Sequence, residues 1–364
     1  MSTYFHIFSE YNHNRFLVLN FLLALPLTST ADILAELQNF GEQLFHKVCD
    51  SHPKEEDQLV GPFPLATLLI LLCVNAEKDS AYEITDNLGL NSQSIQAITS
   101  VYLGQLRQLE LSHLFTMSNH ISVLDRQNVI EKIDLTAGDT IDGWPSIDIC
   151  DIETLSSKTH LLLSTEIHFK SLFLYNFAST AKGAFYTIEG EEIGFDVLTL
   201  LANLKYGEIP ELKANAVEIP YSDGDTSLVI ILPNTQGGVI ELEQDLKLFP
   251  LNGVDSYLKH QWITVVMPKI HIFAEISLKE ELKMLGMSRM FNHLCDGKNI
   301  QVLDVISNAT FSIDEKSAGL DPFLGQDTYN YPPENVSEFH INHPFIFIIK
   351  SSLNVIYLYG KLIK

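Results

Sequence analysis

The spacing of apolar residues changes once along this chain, near Met117, and that change restricts the fold more than any other feature. Before it, Ile33, Leu34, Leu37, Phe40, Leu44 and Val48 recur at helical spacing, with Asp32 placed to cap the helix and Glu36 near its first turn. Pro64 opens LATLLILLCVNA, apolar on nearly all faces, which reads as a buried helix. Ala81 to Leu88 and Ile95 to Leu109 read as two shorter amphipathic helices. Beyond Met117 the β-branched runs His120-Ile-Ser-Val-Leu and Leu161 to Phe169 read as strands. Val217 to Pro220 and Ser227 to Pro233 form two more, joined by Ser222-Asp-Gly-Asp, a solvated hairpin rather than a calcium loop. Trp262 to Pro268 and Lys269 to Ala274 are strand-like, and Leu278 to Leu285 is a short helix ended by Gly286. The chain finishes with Pro344-Phe-Ile-Phe-Ile-Ile and Val355-Ile-Tyr-Leu-Tyr around the turn Ser351-Ser-Leu-Asn354. Helices first and mostly antiparallel strands afterwards, with no repeat and no linker, predict one α+β domain over residues 31–364.

Composition narrows the functions. With 23 basic and 46 acidic side chains the net charge is 23 − 46 = −23, which disfavours nucleic acid and anionic membranes as partners. No nucleophile elbow, phosphate loop, zinc-protease motif or dinucleotide fingerprint is present, so the chain is not expected to be an enzyme. His340 and His343, in an extended run, read as structural rather than metal-binding, and Gly237-Gly238 has no phosphate-binding helix start after it. No cofactor or metal is expected. Cys49, Cys73, Cys150 and Cys295 are too few for a disulfide scaffold, and Cys73 reads as a buried free thiol. The apolar run Phe16 to Leu27, after Arg15 and before Thr28-Ser29-Thr30-Ala31, is too short to span a bilayer, which takes about 20 residues. It fits a secretory signal over residues 1–30; the alternative is an apolar first helix of the fold. The sequons at Asn308 and Asn335 agree with a secreted, extracellular glycoprotein.

Five segments in register resemble the serpin family, the serine protease inhibitor fold, in an atypical, insect-like secreted form. They are Val217-Glu-Ile-Pro-Tyr221 with Ser227-Leu-Val-Ile-Ile-Leu-Pro233; Val266-Met-Pro-Lys-Ile270 with Leu278 to Met287 and Phe291; Ile313-Asp-Glu-Lys316; Phe339 to Phe347 with Leu358-Tyr-Gly360; and, more loosely, Thr67 to Leu88. The resemblance implies three β-sheets, eight or nine helices, a monomer, and an exposed reactive loop near residues 317–332 offered to a target protease. In that mechanism the cut loop inserts as a central strand of the largest sheet.

Several positions depart from the family pattern. The hinge, Glu315, Lys316, Ser317, Ala318 and Gly319, leads into Leu320, Asp321, Pro322, Phe323 and Leu324, where the family has a run of alanines. Pro322 has no N–H for a ladder, and the unpaired carbonyl left opposite it would cost ~1–3 kcal/mol. Gly319 and Gly325 each add roughly 0.5–1 kcal/mol of entropic cost. The family's mobile shutter becomes Gly61, Pro64, Thr165 and Phe173, losing hydroxyls, an asparagine and a tryptophan. The interval from Val123 to Thr165 is short against the family pattern, predicting that the helix crossing the main sheet is reduced or missing. In the family's register, counting forward from Glu315 puts the cut near Tyr331-Pro332, and counting back from Phe339 favours Tyr329-Asn330 or Asn330-Tyr331, just after Thr328; neither has Lys or Arg at the bond. These features favour a poorly inserting loop directed at a papain-like cysteine protease; the alternative is a non-inhibitory binding, carrier or storage protein.

Overall fold

The structure, a computed structural model, describes residues 27–112, 114–125, 128–135, 159–169, 173–295, 299–314 and 332–364. The helical first third comprises α1 (Leu27–Ser51), the short β1 (Gln58–Val60), α2 (Pro62–Asn75), α3 (Lys78–Asn87) and α4 (Ile95–Ser112). The periodic residues Ile33 to Val48 of α1 are all buried. Asp32 does not cap it: the helix begins at Leu27, so Asp32 lies in its second turn, exposed. The small polar residues 28–31 do not break a helix, so α1 extends N-terminally past its apolar stripe. In α2, Pro62 and Pro64 occupy the first turn, where a missing N–H forfeits no intrahelical bond, and residues 65–72 are buried on nearly every side.

Strands then dominate: β2 (Phe115–Asp125), β3 (Asn128–Leu135), β4 (Thr159–Phe169), β5 (Ala178–Tyr186), β6 (Glu192–Ile209), β7 (Ala214–Pro220) and β8 (Thr226–Pro233). After α5 (Val239–Leu246) and α6 (Leu251–Asp255) come β9 (Lys259–Pro268), β10 (Ile270–Ser277), α7 (Lys279–Met284), β11 (Ile300–Ile313), β12 (Ser337–His340), β13 (Phe345–Ser351) and β14 (Ile356–Leu362). The Ser222 to Asp225 turn is a hairpin: Asp223 accepts from the Asp225 and Thr226 amides and the Thr226 hydroxyl, and Gly224 takes φ +78°. Contrary to the sequence reading, a helix does start after Gly238; its first-turn Glu241 pairs with Lys213 at 2.6 Å, placing a carboxylate where an anion would sit.

Among the described residues the strands form two hydrogen-bonded sheets rather than three. One runs β10-β11-β4-β2-β3; the other runs β1-β14-β13-β8-β7-β6-β9-β12, with β5 also on β6. The merger has a local cause. Strand β6 is 18 residues long, bonds β9 along one edge, and bonds first β5 and then β7 along the other, so one strand serves two layers. Seven α-helices are described, with single 3₁₀ turns at residues 210–212 and 289–291. Strands β2 and β3 pair with Asp125 opposite Asn128, a two-residue connection; the expected sheet-crossing helix falls in 136–158, outside the described residues.

The densest packing surrounds β13 and β14, where every residue is buried. Phe45 of α1 stacks on Tyr359 at 3.7 Å between ring centroids. Lys361, with no exposed side-chain surface, pairs with the equally buried Glu243 of α5 at 2.8 Å and donates to the Lys54 carbonyl.

Candidate functional site

Strand β11 lies between two neighbours, antiparallel to β10 and parallel to β4, with the β4 ladder running from Ile300–Thr159 to Phe311–Phe169. After Ile313 the next pairing among the described residues is β12, parallel to β9, in the other sheet from Ser337 to His340. The segment between is therefore tethered at each end to a different sheet. Its residues Glu315, Lys316, Ser317, Ala318, Gly319, Leu320, Asp321, Pro322, Phe323, Leu324, Thr328, Tyr329, Asn330 and Tyr331 lie outside the described residues. The five-stranded sheet that holds β11 is a single layer, whereas the nine-stranded set joins two layers through β6.

The seam between β4 and β11 is polar at its middle on both faces. Underneath, Asn119 of β2, Thr165 of β4 and Ser307 of β11 form a row across three adjacent strands, all buried. Asn119 Nδ2 donates to the Pro64 carbonyl at 3.3 Å. Gly61 lies against β4: a Cβ there would come within 3.0 Å of Ile167 Cγ2. Asn119 Oδ1 and Ser307 Oγ have no partner among the described residues, a cost of ~1–3 kcal/mol for each atom. On the upper face Glu166 accepts from Ser118 Oγ at 3.3 Å and pairs with His168 Nε2 at 2.7 Å. The His168 hydrogen bond lowers the Glu166 carboxyl below its ordinary range. Across the seam from Glu166, Asn308 Oδ1 is again buried without a partner among the described residues.

Three of the four residues expected at the family's shutter positions thus lie together, Gly61 and Pro64 beneath β4 and Thr165 within it. Phe173 does not join them. It bridges to Tyr221 and stacks on that ring at 4.5 Å, in an aromatic group with Phe177 and Phe169 at the end of the seam where β11 leaves the sheet. Asn119 and Ser307 escaped the sequence reading, although the parity was legible: Asn119 alternates with the inward Ile121 and Val123, and Ser307 with Val305 and Ala309. His340 and His343 take separate partners, Glu338 at 2.8 Å and the Pro233 carbonyl at 2.8 Å. Cys73 is a buried free thiol, as is Cys49, and burial pushes both up from the ordinary thiol range. Cys295, also buried, is disulfide-bonded.

Residues 147–364, well over half of the chain, match the family model described as serpin (serine protease inhibitor). The chain belongs to the serpin family. It is 23% identical over 350 residues to antichymotrypsin-2 of Bombyx mori, covering 86% of this chain and 93% of that protein. Serine protease inhibitor 42Dd of Drosophila melanogaster is 24% identical over 363 residues, covering 88% and 95%. Uncleaved ovalbumin superimposes with TM-score 0.70 at 16% identity, covering 92% of this serpin and all of that chain. Serpin48 of the insect Tenebrio molitor gives 0.67 at 21%, covering 92% and 98%. These likenesses agree on an α+β serpin fold. Serpins are generally protease inhibitors rather than catalysts and engage their targets through a reactive loop. No helix among the described residues is long and apolar enough to cross a membrane.

Proposed function

We propose that this serpin is a secreted protease inhibitor whose loop inserts poorly and serves as bait for a papain-like cysteine protease. The observation that carries this is the β4–β11 ladder, paired from Ile300–Thr159 to Phe311–Phe169 with one irregularity, which insertion must break. The segment that would replace it brings Pro322, two glycines and Asp321, a charge costly to bury. Leu320, Phe323, Leu324 and Tyr329 supply the apolar side chain that papain-like enzymes read just before the cut, and no Lys or Arg invites a trypsin-like one. Secretion is supported by the apolar run Phe16 to Leu27 and by the Cys295 disulfide, a bond that persists in oxidising compartments. A second reading, a non-inhibitory binding, carrier or storage protein, is favoured by Gly61-Pro-Phe-Pro64, which offers no hydroxyl to an opening sheet.

Incubation with papain-like and chymotrypsin-like proteases, followed by residual activity, denaturing gels and sequencing of loop fragments, separates the readings. The inhibitor reading expects lasting loss of papain-like activity and a melting temperature nearly unchanged by the clip. Cleavage with full protease activity transfers the case to the second reading. A covalent complex with a trypsin-like enzyme, or a large gain in heat resistance on clipping, overturns the poorly inserting loop.

A further inference from the structure

The two sequons occupy opposite environments. Asn308 lies within β11, opposite Glu166 of β4 on one side and Glu275 of β10 on the other; it is half-buried, and its Oδ1 is fully enclosed. A sugar on its Nδ2 would have to be seated between two neighbouring carboxylate-bearing strands of a closed sheet. Asn335 is exposed at a bend just before β12, flanked by exposed Pro333 and Glu334, and its acceptor partner Ser337 is exposed at the first position of that edge strand. Nothing in the sheet has to move to place an oligosaccharide there.

We propose that Asn335 carries an N-linked glycan that stands on the C-terminal flank of the bait loop and screens it sterically, while Asn308 stays unmodified in the folded protein. The proposal rests on the secretory reading above, since only a chain entering that pathway meets the transferase. The screening follows from reach. Asn335 is five residues past Asn330, at most ~18 Å along an extended chain. A protease domain of about 200 residues has a radius of gyration near 16 Å, so one seated at the loop covers the ground on which the glycan stands. Proteases that grip many residues beyond the cut are hindered most; those that read chiefly the residue before it are hindered least.

The test expresses the full chain in secreting insect cells, once as it stands and once behind an added secretion signal, so that occupancy is read whether or not its own leader works. Failure of the first chain alone to be secreted or glycosylated counts against the leader, not the site. With the added signal, peptide N-glycosidase should convert Asn335 to Asp and leave Asn308 unchanged, and both Asn335→Gln and Ser337→Ala should abolish the glycan while Asn308→Gln should not. Loop cleavage by a chymotrypsin-like protease should then run faster in both glycan-free variants, by about tenfold, equivalent to about 1.4 kcal/mol of barrier. A glycan on Asn308, an unoccupied Asn335 in the secreted protein, or equal cleavage rates with and without the sugar would overturn the proposal.

Discussion

The β13–β14 core and the β4–β11 seam are built from the same kind of strand, but the core buries charged pairs and the seam buries neutral polar groups. Around β13 and β14 the buried charges are matched: Lys361 and Glu243 are buried together, Lys350 reaches Asp255 at 2.9 Å, and the Asp57 carboxylate accepts from the Ile363 amide at 2.6 Å, while the Tyr357 and Tyr359 hydroxyls are enclosed without a partner among the described residues. At the seam Asn119, Ser307 and Asn308 leave oxygens enclosed and unmatched among the described residues, and the ladder is interrupted by an irregularity between Val302 and Asp304. Parting the core would expose a buried ion pair, and parting the seam would hydrate neutral groups only.

The sharpest way to break this contrast is to remove one member of the buried pair. Lys361→Ala should destabilise the protein by ~3–5 kcal/mol in urea unfolding, because Glu243 is left as a buried unpaired charge. The double variant Lys361→Met, Glu243→Leu should recover most of that loss. Acid attacks the same region next. Burial lowers His46 from 6.5 to about 4, so its contribution is complete above pH 6.5 and declines as the pH falls towards 4, where the unfolded chain binds the proton first. The loss should reach roughly 3 kcal/mol and should flatten in His46→Gln, with the difference between the two urea-unfolding profiles isolating this residue from the carboxylates. The smallest effect has the opposite sign. Ser307→Ala, which deletes an unpartnered buried hydroxyl, should stabilise by about 1 kcal/mol or leave stability unchanged. A clear loss would mean that the Ser307 hydroxyl is hydrogen-bonded and helps to hold the seam shut.

Much of the architecture was legible because burial and period coincide. The alternation in Leu161 to Phe169, the unbroken apolar runs of β13 and β14, and the stripe from Ile33 to Val48 each report which face meets the core. What escaped has physical reasons. The start of α1 was misplaced because a capping residue was read where the helix simply continues, and Asp32 has no local feature that separates the two roles. Lys361 is buried because both faces of β14 are covered, a fact that belongs to its neighbours rather than to its own residue type. The joining of two sheets depends on the length of β6, whose first six residues are not buried and so show no core-facing alternation. Of the site, Gly61, Pro64 and Thr165 were found through the family pattern, whereas Asn119 and Ser307 required knowing which strands are neighbours.

The fact that β12, β13 and β14 all follow the bait segment has a practical outcome for anyone handling this molecule. Severing the backbone near residue 330 divides it into a long piece and a short one, yet the short piece holds two fully enclosed strands, β13 clasped between β8 and β14, and β14 between β13 and β1. A nicked sample should elute from a sizing column with the intact one and part into two only in detergent, so assays that rely on native mass will count digested molecules as whole.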